Sequence, residues 1–206
     1  ADKNFVLRVK SAIETPTVPS YLGLALAKIS VSGEIAVRVR TELRVSAKGY
    51  FRDPAGYIKN SGFLPPKVGE VTTYTIHWQV VNPANDLENV VLRTTLPAGI
   101  SWTGETAIPY GAAEPAYNER TGEVIWSIGR VPAQSGIILP AFQAYFRVAA
   151  VPSVNQIGNL ISIINETEFS GRDVFTGVDL AGKIAEIRSN LPDDPTITFE
   201  RGIVRE

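Results

Sequence analysis

The chain has 206 residues, 44% hydrophobic and 20% charged, with a formal net charge of −1. That balance supports a packed core; it excludes a disordered segment, which pairs low hydrophobicity with high net charge, and a general nucleic-acid binder, which needs surplus cations. Cys 0 excludes disulfides, thiolate catalysis and Cys-ligated metals; Met 0, even at position 1, points to a processed chain or a piece of a longer one; and no apolar run approaches the roughly 18 residues of a membrane-spanning helix.

Seventeen glycines and fourteen prolines are spread so evenly that no stretch free of both exceeds 15 residues. Helices of about 11–12 residues would fit between several of these breaks, yet the stretches alternate instead. Strands are predicted in chain order at 4–10, 21–30 and 34–47; in the last, Ile35, Val37, Val39, Leu43, Val45 and Ala47 take one phase and Glu34, Arg38, Arg40, Glu42, Arg44 and Lys48 the other. A short strand is expected at 56–59. At 71–82, Tyr74, Ile76, Trp78 and Val80 interleave with Thr75, His77 and Gln79, placing the tryptophan inside and the histidine outside. Strand 88–95 leads through the turn Leu96-Pro97-Ala98-Gly99-Ile100 into 100–103. A long connection, 103–118, ends in the hairpin loop Asn118-Glu119-Arg120-Thr121-Gly122 before strand 123–128. Strands 138–149 and 160–169 follow, with shorter ones near 174–180 and 183–188, and Leu191-Pro192-Asp193-Asp194-Pro195 reads as a linker to a strand-like tail. Short strands between turn residues define an all-β chain, a sandwich or a barrel.

Phe5-Val6-Leu7-Arg8-Val9 matches Ala144-Tyr145-Phe146-Arg147-Val148, and after nearly equal gaps each copy reaches Ser-Gly, at Ser32-Gly33 and Ser170-Gly171. This repeat divides the chain into residues 1–48, the C-terminal part of a preceding β-sandwich; 49–190, a complete one; and 191–206, linker and tail. Three strands cannot bury their own apolar faces, so residues 1–48 are expected to be completed by strands from elsewhere, including the tail of another copy.

The ordered words Lys67-Val68-Gly69-Glu70-Val71-Thr72-Thr73-Tyr74-Thr75-Ile76, Val81-Asn82, Leu87-Glu88-Asn89-Val90-Val91, Leu96-Pro97-Ala98-Gly99-Ile100, Thr121-Gly122-Glu123-Val124-Ile125-Trp126-Ser127-Ile128-Gly129, Phe142 to Val148, Asn165 and Ser170-Gly171-Arg172-Asp173 resemble the conserved-repeat domain family of bacterial and archaeal cell-surface proteins, domain of unknown function eleven. The likeness covers roughly residues 60–180. The 103–118 stretch is longer than a simple hairpin, and Pro83 interrupts the polar word at Val81-Asn82. The resemblance implies an immunoglobulin-like β-sandwich, often in tandem on exported proteins, with no enzymatic activity, no cofactor and no family-wide binding residues.

His77 is the one histidine, so a Ser–His–Asp triad or histidine-rich metal site has a single possible member. Asp86, Asp173 and Asp193 are the acids a calcium ion would use, although no EF-hand spacing is present and Asx turn-forming explains them as well. Trp102, Tyr110 and Tyr117 sit in or beside the 103–118 connection, where they can stack on sugar rings or pin the loop to the sheet. Asn165-Glu166-Thr167 has the form of a glycosylation sequon within a strand-like segment, and no lysine–asparagine pair is singled out for an isopeptide bond. The expected function is a non-catalytic spacer, stalk or self-assembling component of an extracellular surface protein, partnered by copies of itself or neighbouring repeats through strand pairing. The alternative is an adhesion module that binds a glycan or surface protein with the aromatics at 102–117.

Overall fold

The computed structural model describes residues 3–14, 30–111 and 113–206, so the predicted strand 21–30 lies outside the described residues except for Ser30. Thirteen strands are formed among them: β1 Val6–Glu14, β2 Ser30–Arg38, β3 Arg44–Tyr50, β4 Thr72–Val81, β5 Leu87–Thr95, β6 Ile100–Tyr110, β7 Ala116–Asn118, β8 Glu123–Val131, β9 Phe142–Ala150, β10 Ser162–Ile164, β11 Thr167–Asp173, β12 Asp179–Ile184 and β13 Ile187–Arg188. A four-stranded sheet, β3-β4-β9-β6, packs on a five-stranded sheet, β12-β11-β5-β8-β7, with the pair β10-β13 beside them. This is an immunoglobulin-like β-sandwich.

Period-2 patterning builds the core. Tyr74, Ile76, Trp78 and Val80 of β4, Val124 and Trp126 of β8, and Ala144, Phe146 and Val148 of β9 are all fully buried. Trp78 and Trp126 come from facing sheets and stack with ring centroids 6.4 Å apart, so large rings fill the space between the layers. The loop at Asn118 closes as expected, with the Gly122 amide donating to the Asn118 carbonyl at 2.8 Å and the Arg120 amide to Asn118 Oδ1 at 3.0 Å.

Several expectations need correction. The stretch 34–47 is two strands, because residues 39–43 turn inward and bury Thr41 and Leu43. The boundary at 48/49 falls inside β3, which pairs with β4 from Arg44↔Val81 to Tyr50↔Thr75, so the sandwich begins at residues 40–43. The tail is part of the sandwich: Leu191 and Val204 are fully buried, the Val204 amide donates to the Asn159 carbonyl and the Arg205 amide to the Pro66 carbonyl. Residues 196–206 are therefore not free to be donated to another copy. No strand forms at 56–59; β6 continues to Tyr110, and 160–169 divides into β10 and β11. His77 is not exposed, because residues 51–66 fold over the outer face of β4, with Asn60 Nδ2 donating to Thr75 Oγ1 at 2.8 Å and the Ser61 amide to Thr73 Oγ1 at 2.7 Å. The Phe5/Ala144 repeat has no structural counterpart: Val6–Val9 and Ser32-Gly33 lie in paired strands, whereas β9 and β11 belong to opposite sheets.

The pair β1-β2 stands apart as a two-stranded ribbon in continuous register from Val6↔Arg38 to Glu14↔Ser30. Phe5, Leu7, Val9 and Ile13 share one face with Ile35, Val37 and Val39, and all seven are exposed. The other face carries Arg8, Lys10 and Arg38, with Glu34 paired to Arg8 at 2.6 Å and Lys10 at 3.4 Å.

Candidate functional site

The densest polar constellation lies at the neck, where residues 39–43 enter the sandwich. Its centre is the Asp173 carboxylate, fully buried at the end of β11. Oδ2 accepts the Thr41 amide at 2.7 Å and Asn85 Nδ2 at 2.8 Å; Oδ1 accepts the amides of Phe175 at 2.9 Å and Thr176 at 3.0 Å. Burial alone would raise the pKa of this carboxyl, but the Asn85 donor and the three backbone amides outweigh it and hold the value below normal.

Two buried asparagines carry the network outward. Thr41 Oγ1 donates to Asn82 Oδ1 at 2.7 Å and accepts the Ala84 amide at 3.1 Å. Asn82 Nδ2 lies against the carbonyls of Asn85, Val131 and Pro132. Asn85 Nδ2 also donates to the Val39 carbonyl at 2.9 Å, while its Oδ1 accepts the Asn4 amide at 3.0 Å. Both strands of the ribbon are thus held at their base by one side chain. Asp86 adds an outer layer: it accepts the Ala133 amide at 2.9 Å and pairs with Arg130 at 2.9 Å and Lys3 at 3.4 Å, and these donors, the Ala133 amide foremost, lower its pKa. Arg38 donates to the Phe175 carbonyl at 3.1 Å and lies over the Phe175 ring at 5.1 Å.

The calcium candidates do not converge. Asp86 and Asp173 meet in the neck but face protein donors, so their oxygens are occupied. Asp193 is elsewhere, 3.7 Å from Lys48. Its neighbour Asp194 is buried and accepts the amides of Phe51, Arg52 and Thr196 together with Thr196 Oγ1, tying the tail to the end of β3. Among the described residues no group of three His, Cys, Asp or Glu is arranged to hold a metal ion.

Two of the three aromatic candidates, Trp102 and Tyr117, are half-buried and stack on each other. Trp102 on β6 stacks on Tyr117 of β7 with centroids 5.7 Å apart and sits 5.3 Å from the Phe146 ring, so this stack joins the two sheets at their open side. Tyr110 is exposed and packs edge-on against Phe142. His77 stacks on Tyr145 at 3.7 Å, with Asp53 at 2.9 Å from its Nε2. Burial lowers its pKa, partly opposed by Asp53 and reinforced by Lys48. Asp53 also holds the covering loop, accepting the amides of Ala55 and Ile58. The histidine therefore braces a loop. An open cleft of about 630 Å³ on the five-stranded sheet is lined by Glu123, Glu166, Glu168, Glu186 and Arg93, with Lys183 already paired to Glu166 and Glu168. Sequence reasoning missed the neck because Thr41, Asn82 and Asn85 are ordinary turn residues until the fold brings them together.

No family model matches the chain, and no curated protein matches it. Solved structures do. A variant of BcpA, the major pilin subunit of Bacillus cereus, has 13% identity and a TM-score of 0.46 over 75% of this chain and 44% of its own. The full-length major pilin SpaD from Corynebacterium diphtheriae has 12% identity and a TM-score of 0.46 over 72% and 34%. The C-terminal domain of the Streptococcus pyogenes antigen I/II-family protein AspA has 16% identity and a TM-score of 0.40 over 75% and 49%. The chain spans less than half the length of each of these three structures.

Proposed function

We propose that this chain is a non-catalytic structural module of an extracellular surface protein, a spacer or stalk unit that holds what adjoins it at a fixed direction. The neck carries this reading. Thr41, Asn82, Asn85 and Asp173 form a buried network in which each hydrogen bond has a required direction, so the ribbon is favoured in one orientation on the sandwich. The neck lies at the Val81 end of β4 and Arg205 is bridged to Lys67 at the Thr72 end, so the chain crosses the module from pole to pole. Asp86 and Asp173 are bonded to protein donors and Trp102 and Tyr117 are stacked on each other, which leaves Tyr110 as the exposed member of the aromatic candidates. The test uses the absence of cysteine, which makes introduced pairs unambiguous: spin labels at Ser11→Cys and Thr121→Cys should give a narrow distance distribution that broadens with Asp173→Ala. A broad distribution in the unaltered neck would refute the reading.

A further inference from the structure

The exposed ribbon has a counterpart packed into the sandwich of the same molecule. Gly33-Glu34-Ile35-Ala36 of β2 matches Gly182-Lys183-Ile184-Ala185, of which the first three residues end β12, and both β2 and β12 are the second strand of an antiparallel pair. Superposing the two glycines sets Ser11 at the place of Phe169 and Val9 at the place of Thr167. Beside each glycine stands a cross-strand ion pair with the signs exchanged, Lys10–Glu34 at 3.4 Å and Glu168–Lys183 at 2.7 Å. The apolar face of the ribbon is the face that β11 and β12 turn into the core. There Thr167 is fully buried, whereas Val9 is 52% and Ile35 67% exposed.

The counterpart shows what the ribbon lacks. The edge of β11 away from β12 pairs with β5, through Glu168↔Arg93, Phe169↔Leu92 and Ser170↔Val91. The edge of β1 away from β2 has no strand among the described residues. An isolated hairpin is marginally stable in water, and three or more strands with a covered apolar face are needed for independent stability. Two such ribbons face to face would not suffice: nine residues at about 3.3 Å each and two strands wide give a face of roughly 300 Å², against about 800 Å² per partner in a stable interface.

We infer that β1 and β2 are the edge hairpin of a second β-sandwich of this same architecture, and that the occupant of the β1 edge is a β5-type strand with an acid opposite Lys10. The acid follows from the exchanged signs, since Arg93 stands opposite Glu168 in the counterpart. The Val39 amide donates to the Phe5 carbonyl, so the strand alternation turns the amides of Val6, Arg8, Lys10 and Ala12 toward the free edge. The partner's sheet would also cover Val9, Ile13 and Ile35. This deepens the spacer reading by naming what the neck orients.

The probe is a pair of nonapeptides copying residues 87–95, one unaltered and one carrying R93E, added to the isotopically labelled full chain at up to millimolar concentration. Amide exchange should slow at Arg8, Lys10 and Ala12, which a peptide ending at residue 95 can reach, and not along the outer edge of β2, with a roughly 2–5-fold preference for the R93E peptide, as expected of one cross-strand charge pair. Lys10→Glu, at an exposed position outside the sandwich, should reverse the preference. Protection along β2, protection of neither edge, or protection indifferent to the charge at residue 10 overturns the inference. A narrow spin-label distribution with no peptide response sinks this inference alone; a broad one with the expected response sinks only the proposed spacer role.

Discussion

Replacing Asp173 with Ala is the sharpest perturbation of the neck. The change removes a fully buried carboxylate and leaves the Thr41, Phe175 and Thr176 amides and Asn85 Nδ2 without their acceptor. A buried donor left unsatisfied costs about 1–3 kcal/mol. Water entering the vacated space recovers part of this, so the expected loss is about 3–5 kcal/mol, the range for breaking a buried charged network. Urea unfolding followed by tryptophan fluorescence measures it as a lower midpoint at unchanged slope. Protonation supplies a second readout. The native pKa of Asp173 is held below that of the unfolded chain, so its stabilisation is present above the unfolded value and is lost as pH falls through the native one. Acid sensitivity should begin near pH ~4 and continue below it, and should be shallower in the variant. It should not vanish, because Asp86 and Asp194 are shifted in the same direction. A stability loss under about 1 kcal/mol would refute the claim that the four bonds hold the neck.

Four further outcomes are expected. Trp126→Ala should cost about 3–5 kcal/mol by emptying the site stacked on Trp78, read from chemical unfolding. Gly202→Ala would bring a methyl group within 2.6 Å of the Asn190 backbone and should cost about 1–3 kcal/mol, with the tail becoming susceptible to limited proteolysis. His77 is harder to protonate in the native state, so the unfolded chain takes the proton first and stability should fall as pH drops below about 6.5; His77→Gln should remove that component of the pH–stability curve. Millimolar calcium should leave the Tm unchanged, because Asp86 and Asp173 are already engaged by donors; a rise of several degrees would show that an ion displaces them.

The period-2 signal made the sandwich legible in the sequence because strands buried on one face must alternate. Tyr74 to Val80, Val124 to Ile128 and Phe142 to Val148 could be placed from that rule, and the phases of Trp78 and Trp126 follow from it. The same rule failed for His77. It separates the two faces of a strand but cannot say whether a loop covers the outer one, and residues 51–66 carry no periodicity. It also ran β2 and β3 together, since 39–43 keeps the alternation while the chain turns to bury Thr41 and Leu43. The boundary at 48/49 was misplaced for a related reason. The Phe5/Ala144 match compared strand vocabulary, whereas the proposed kinship of β1-β2 with β11-β12 rests on cross-strand ion pairs of opposite sign. Those features require knowing which residues face one another.

The neck was the least legible part, and its chemistry explains why it is polar. An apolar neck would gain stability from burial with little regard to direction, leaving the angle between ribbon and sandwich weakly specified. A buried network of Thr41, Asn82, Asn85 and Asp173 behaves differently: tilting the ribbon would strand donors away from water, so orientations other than the observed one carry the cost of unsatisfied groups. Asn85 makes the coupling concrete, because one side chain bonds the Asn4 amide, the Val39 carbonyl and the Asp173 carboxylate, joining the two ribbon strands to the end of β11. Asn85→Ala should therefore loosen the ribbon more than it destabilises the sandwich, because the apolar core lies elsewhere. Amide exchange resolves the two effects. Faster exchange across β1 and β2 with little change in β4 and β9 is expected, while equal acceleration throughout would mean that Asn85 supports the fold and not the joint.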